Sequence, residues 1–269
     1  PQDRFLFVAG NGNTIYVVDI RPDSPTFHQT ISSIVLPRNR SNNSGIAVTA
    51  DASKLLVGTG IDHDQGHLTV YDLNWDKAPT AENPSAVDFA SLLKDGKVDG
   101  IPHSINATTD PEFATLTYKY RISTNAPWGG SVFSDAPLTR FGAITLEDDG
   151  FSVRDVQTSV PGGLSPFTND YYSGYYTDIL TPRDVVVMPD LSAAFIADWE
   201  LLLIFGYGGQ RGDKVGVVKN PFGESEYLGS TTPIDFGCAT SVALNDTGTR
   251  VFASYGCLGE TLVMDTEAL

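Results

Sequence analysis

Three segments of this chain superimpose on a shared turn, and that repeat limits the fold more than any other feature. They are Gly45-IAVTADASKLLV-Val57, Asp184-VVVMPDLSAAFI-Ile196 and Thr240-SVALNDTGTRVF-Phe252. Each reads as a β-branched strand, a turn carrying Asp51, Asp190 or Asp246, and a second apolar strand. Aspartate suits such a turn because its carboxylate accepts hydrogen bonds from backbone amides two residues on. Alternating strands that close on an aspartate form a second element: Thr14-IYVVD-Asp19, His67-LTVYD-Asp72 and Glu260-TLVMD-Asp265. The turn and closing aspartates are 21 residues apart in one copy and 19 in another. Arg4-FLFVAG-Gly10 matches the second strand of the repeat, and a weaker copy is read at Ile144-TLEDDGFSV-Val153.

Steps of about 40 to 56 residues between turns match one four-stranded blade. The sequence therefore predicts an all-β chain: a β-propeller of four-stranded antiparallel blades, forming a single domain over 1–269. A long irregular insertion is expected at about 76–140, where six prolines punctuate the chain and Val87-DFASLLKDG-Gly96 reads as a short helix. The first blade lacks its innermost strand and the last stops after its third. The chain is thus expected to belong to a larger polypeptide. The 26 glycines and 16 prolines agree with many turns, and no apolar run is long enough for a transmembrane segment.

The pattern strand-(S/A/P)-D-(G)-x-x-L-hydrophobic-V followed by T-V-x-V-x-D resembles the YVTN-type repeat of lactonase-like and NHL-like β-propellers. The resemblance covers 4–74 and 183–266. It implies an exported or surface-associated protein, within a larger chain. The motif consists of turn and core residues, so it speaks for fold and little for function.

Acidic residues outnumber basic ones 33 to 17, a net charge of −16. No cluster of cations offsets this, which excludes nucleic acid as a partner. Glu147 to Glu200 holds ten carboxylates against Arg154 and Arg183, one strongly acidic region. A hairpin turning at Thr247-Gly248 places Cys238 opposite Cys257, at a spacing that accepts a disulfide. That pairing, set against two buried free thiols, implies a secreted, cell-surface or periplasmic location.

Two candidate sites follow. Asp62 and Asp64, in Asp62-HDQG-Gly66, offer hard oxygen ligands for calcium, although the spacing fails the EF-hand template. A polar hairpin loop explains the same residues, and no cofactor is otherwise expected. Tyr171, Tyr172, Tyr175 and Tyr176 present flat faces and hydroxyls suited to a protein partner or to carbohydrate stacking. Trp128 beside Gly129-Gly130, and Trp75, are read as contributing to the same surface. No G-x-S-x-G elbow and no unpaired thiolate points to nucleophilic catalysis. The leading expectation is a non-enzymatic interaction or structural module that binds a protein partner or other domains of the same larger chain. A metal-assisted lactonase-like hydrolase and a glycan-binding module are the alternatives.

Overall fold

In the computed structural model the chain is built almost entirely of antiparallel strands. The residues described are 4–10, 12–37, 42–62, 65–85, 87–98, 100–120, 124–125, 131–132, 138–156, 182–198, 203–204, 207–208, 214–231 and 238–268. The first sheet holds β1 (Phe5–Ala9), β2 (Thr14–Asp19) and β3 (Thr30–Val35). The second holds β4 (Asn42–Val48), β5 (Lys54–Asp62), β6 (Gln65–Leu73) and β7 (Ala90–Val98). The third comprises β8 (Ile101–Ala107) and β9 (Phe113–Tyr120); after the small hairpin β10 (Thr124–Asn125)–β11 (Ser131–Val132), it continues with β12 (Leu138–Glu147) and β13 (Gly150–Asp155). The fourth starts with β14 (Pro182–Val187) and β15 (Ala193–Asp198). The hairpin β16 (Leu203–Ile204)–β17 (Tyr207–Gly208) intervenes before β18 (Lys214–Lys219) and β19 (Glu226–Ser230) complete it. The last sheet is β20 (Ala239–Leu244), β21 (Arg250–Tyr255) and β22 (Glu260–Asp265).

One backbone hydrogen bond fixes the place of each strand in the repeat. In the second sheet the Ser53 carbonyl accepts from the Leu73 amide at 2.7 Å, tying the first turn to the end of the third strand. Glu112, Ser192 and Thr249 accept equivalent bonds from Leu146, Asn220 and Thr266. Arg4 accepts from Ile20 in the same way, so β1, β2 and β3 occupy the second to fourth positions of their sheet. The last sheet fills the first to third. Among the described residues both terminal sheets therefore hold three strands.

The turns follow from local chemistry. Asp51 and Asp190 each accept the amide two residues on, from Ser53 and Ser192, at 3.0 Å. Ala52 and Leu191 follow with φ of 54° and 61°, and Gly248 takes the same slot at 70°. The last turn is thus aligned one residue away from the sequence expectation. Thr247 stands in the aspartate slot, and Asp246 is equivalent to Ala50 and Pro189. A further copy of the turn lies at Thr108–Phe113, where Asp110 accepts from the Glu112 amide at 2.9 Å. The weaker copy expected at 144–153 is instead the β12–β13 hairpin, joining the third and fourth positions of its sheet.

The expected helix at Val87–Gly96 is also corrected: after a turn at 87–89 the chain runs as β7. Pairing along the whole edge of β6, together with the Thr69 hydroxyl donating to Asp95 at 2.8 Å, outweighs local helix preference. Within 76–140, strands β7, β8, β9 and the start of β12 account for most of the described residues. Among the described residues the helical segments are two short 3-10 turns, Trp75–Lys77 and Thr266–Ala268, and no helix is long and apolar enough to cross a membrane.

Packing divides the chain into two compact units, Pro1–Tyr118 with Ile144–Val153, and Lys119–Ala143 with Arg154–Leu269. Within the first unit, strand alternation sends Leu55, Val57 and Tyr71 towards Ile15, Val17 and Ile34 of the first sheet. Leu56, Leu68 and Val70 point the other way, to Ile105, Leu116 and Tyr118 of the third. Trp75, expected on an interaction surface, belongs to this core. It stacks on Phe5 at 6.1 Å, meets Phe89 edge-on at 5.2 Å, and its indole N–H donates to the Ala52 carbonyl at 2.7 Å. Within the second unit, Phe195, Val215 and Val217 pack on Val242, Val251 and Tyr255 of the last sheet. Asp184 links these sheets further, accepting the Val242 amide at 3.1 Å.

The disulfide forms between Cys238 and Cys257, with Cα atoms 5.3 Å apart. The expected register holds from Ser241↔Ser254 to Leu244↔Val251, but a bulge at Thr240 moves the next pair to Ala239↔Tyr255. Cys238 then takes a φ of 55°, its carbonyl accepting from Gly256, and the bridge closes on Cys257 just past the strand. Loop-closure entropy over a 19-residue separation gives a stabilisation of about 3 kcal/mol. Cys238→Ser/Cys257→Ser should therefore lower the urea midpoint of unfolding.

Candidate interaction surface and buried charges

A tight aspartate turn joins the first two strands of each complete sheet: Thr49–Ser53 between β4 and β5, Thr108–Glu112 between β8 and β9, and Met188–Ser192 between β14 and β15. In the second sheet the longest connection, 74–89 between β6 and β7, starts at that same end, beside Ser53. In the third and fourth sheets the long connections are at the opposite end. The stretch from 121 to 137 joins β9 to β12, 156 to 181 joins β13 to β14, and 199 to 213 joins β15 to β18. Long connections on a rigid scaffold are where binding residues concentrate.

The sequence-predicted interaction residues belong to these long connections. Trp128 lies in the first, and Tyr171, Tyr172, Tyr175 and Tyr176 lie in the second. All five fall outside the described residues. So does Asp64; Asp62 is the last residue of β5, and its side chain is not among those described. The β5–β6 connection is shorter than the sequence implied, because Gly66 is inside β6 rather than in a loop. Among the described residues no group of three or more His, Cys, Asp or Glu side chains stands close enough to hold a metal ion.

Sequence reasoning missed a charged cluster at the long-connection end of the fourth sheet. Asp198 ends β15 and Lys214 begins β18, and the register pairs them directly. Both side chains are fully buried, with Nζ and Oδ2 3.8 Å apart. Arg183, at the start of β14, completes the group. Burial lowers its pKa, while the Asp198 charge works in the opposite sense. Buried ionisable groups of this kind occur at functional sites and in structural ion pairs alike. The only sequence signal was polar residues at the ends of apolar strands.

A second polar group, fully inside the first unit, is built on Asp19. Its buried carboxylate accepts from the Arg21 backbone amide at 3.0 Å, from Arg21 Nε and Nη2 at 2.9 and 2.6 Å, and from the hydroxyls of Ser24 and Thr26 at 2.5 and 2.7 Å. These bonds hold the Asp19 carboxyl far below the usual carboxylate range, with the Arg21 side chain the largest cause. The loop they fix forms one wall of an open cavity of about 490 Å3, whose other wall is Thr80, Ala81 and Glu82. Among the described residues Arg21 is the one cation lining it, and it is committed to Asp19.

No protein-family model matches the chain, and no curated protein matches its sequence. Solved structures do. The β-propeller domain of Cps50 (Swd1) from Myceliophteria thermophila aligns with 99% of this chain at 7% identity and a TM-score of 0.57. The periplasmic gluconolactonase PpgL of Pseudomonas aeruginosa aligns with 98% at 14% identity and a TM-score of 0.61. The chain spans about 64% of the length of both. One of these neighbours is named as an enzyme and the other only as a propeller domain, so the likeness carries architecture alone. Repeated four-stranded antiparallel sheets, a near absence of helix among the described residues, and these neighbours together show that the chain has a β-propeller fold.

Proposed function

We propose that this chain is a non-enzymatic β-propeller module of an exported or cell-surface protein, and that it binds a protein partner. The observation carrying this reading is the asymmetry of the third and fourth sheets, with tight aspartate turns at one end and the long connections 121–137, 156–181 and 199–213 at the other. Stacked sheets supply a rigid platform, and the long connections supply Trp128 and the four tyrosines as contact residues. The disulfide supports an oxidising compartment. The resemblance to YVTN-type repeats supports the same location. Calcium is the cation proposed for Asp62 and Asp64; a melting temperature indifferent to chelation and to millimolar calcium removes it.

The buried pair of Asp198 and Lys214, with the half-buried Arg183 beside it, favours a second reading, a lactonase-like hydrolase. One set of measurements separates the readings. The purified chain is assayed for hydrolysis of a panel of sugar lactones, for binding to a glycan array, and for cross-linking to exported and surface proteins. The module reading expects no hydrolysis above background. It also expects a cross-linked partner whose capture falls at least about tenfold when Tyr171, Tyr172, Tyr175, Tyr176 and Trp128 become Ala. Lactone hydrolysis abolished by Asp198→Asn would overturn it in favour of the enzyme. Glycan binding lost in the tyrosine variant would replace the protein partner with carbohydrate.

A further inference from the structure

The two halves of the disulfide stand in unlike surroundings. Cys238 is 3% exposed at the start of the last sheet, whereas Cys257 is exposed on the turn between β21 and β22. Cys238 also holds a φ of 55°, a left-handed conformation that is disfavoured for a residue with a Cβ. The bridge holds it there together with the Gly256 amide, which donates to the Cys238 carbonyl at 3.0 Å. The turn itself is slight. The Leu258 and Gly259 amides both donate to the Tyr255 carbonyl, at 3.1 and 3.0 Å, and residues 256–259 are all exposed, Leu258 by 45%. The sheet behind the turn does not depend on the bridge. β20 and β21 pair from Ser241↔Ser254 to Leu244↔Val251, and β21 and β22 pair without a register shift from Arg250↔Asp265 to Tyr255↔Glu260. Val242, Val251 and Ala253 anchor those strands in the core.

We infer that this bridge is a redox-sensitive latch: an external dithiol opens it at Cys257 and releases the β21–β22 turn while the last sheet stays folded. Disulfides that are exposed or that close strained backbone are the reducible ones. A thiolate of the dithiol attacks the Cys257 sulfur, because the Cys238 sulfur belongs to a buried residue. The bond to Cys238 breaks, its electron pair goes to the Cys238 sulfur, and that thiolate takes a proton from water. The second thiol of the dithiol then attacks its partner sulfur in the mixed disulfide. Cys257 leaves as a thiolate, and the dithiol is oxidised to its own disulfide as the bridge is reduced, by two electrons in all. Cys238 is then free to leave its left-handed conformation. The turn that loosens joins the second and third strands of its sheet, the place that the long connection 199–213 holds in the fourth. The inference concerns this turn and stands whether or not the proposed partner binding is correct.

Reduction of the wild-type chain in native buffer tests it. The protein is incubated with millimolar dithiothreitol, or with a glutathione redox buffer followed by acid quenching, and both cysteines are mapped by mass spectrometry. Three results are expected. The bridge is fully reduced without denaturant, the trapped glutathione adduct sits on Cys257, and the β-sheet circular dichroism is retained. A protease selective for large apolar residues should then cut after Leu258 at least about tenfold faster than in the oxidised protein. Cys238→Ser/Cys257→Ser should show the fast cut without reductant and no response to dithiothreitol. A bridge that resists reduction until urea unfolds the chain would overturn the inference, since it would be a structural staple only. So would an adduct on Cys238, which places the attack on the other sulfur. Loss of the β-sheet signal on reduction would mean that the whole sheet, not the turn, depends on the bridge. Unchanged cutting after Leu258 in the reduced protein would mean that the bridge does not hold the turn.

Discussion

Gly66→Ala is expected to destabilise the first unit by at least about 3 kcal/mol, because the new methyl group has no place to go. Gly66 lies within β6, paired with Gly60 on one side and Val98 on the other. A Cβ built there would sit 1.7 Å from the Gly100 carbonyl oxygen and 2.5 Å from Pro102 Cδ. The first of these is backbone and cannot rotate aside. Gly45, Gly58 and Gly60 stand in the same relation to Ile105, Pro102 and Ile101, so a stripe of glycines lets β8 lie directly on the second sheet. The substitution must push the start of β8 away and open the core of Leu56, Leu68, Ile105 and Leu116. The expected record is a fall in melting temperature on the order of 10 °C, with hydrogen exchange accelerated first in Ile101–Ala107. Gly223→Ala is the control. Its added Cβ would meet nothing nearer than 3.9 Å at an exposed site, and it should change stability by less than about 0.5 kcal/mol. Equal effects from the two substitutions would mean that backbone entropy, rather than close approach, governs the stripe.

That stripe shows where sequence reading stopped. Turn chemistry is local, so the copies at Asp51 and Asp190 were legible from single residues. Where another residue took over the same geometry, the reading slipped. Gly248 occupies the left-handed slot of Ala52 and Leu191, so in the last copy the aspartate is displaced and the glycine is not. The copy at Thr108–Phe113 was hidden because Pro111 stands in that slot. Its ring forbids positive φ, so the turn closes instead with the Phe113 amide on the Asp110 carbonyl. Gly66 was legible only as a loop glycine, since the carbonyl it must admit lies on another strand. The candidate site was less legible still. Asp198 and Lys214 meet because β15 and β18 pair across a long connection, and nothing in the spacing of two charges announces their burial. The closing aspartates looked alike and act differently. Asp72 pairs with Lys54 on the neighbouring strand at 2.7 Å, Asp265 accepts the Glu267 amide, and Asp19 organises a loop.

Asp19 therefore carries the second large expectation. Asp19→Ala removes a fully buried carboxylate that accepts five hydrogen bonds. It leaves the Arg21 guanidinium and the Ser24 and Thr26 hydroxyls facing an emptied pocket. Breaking a buried, hydrogen-bonded ion pair from one side costs roughly 3–5 kcal/mol, and partial exposure of Arg21 places this case near about 3 kcal/mol. The β2–β3 connection should loosen with it, since His28 holds a φ of 61° beside the Asp19 carbonyl that binds its amide. Acid titration gives the independent check. The folded carboxyl is held far below its ordinary value of about 4, so Asp19 binds its proton more readily in the unfolded chain. Its contribution is complete above that ordinary value and is lost as pH falls below it. Wild-type stability should therefore drop more steeply than that of Asp19→Asn between about pH 5 and pH 2, the two curves converging at the acid end. Parallel curves over that range would show that the carboxylate charge is not what holds the loop.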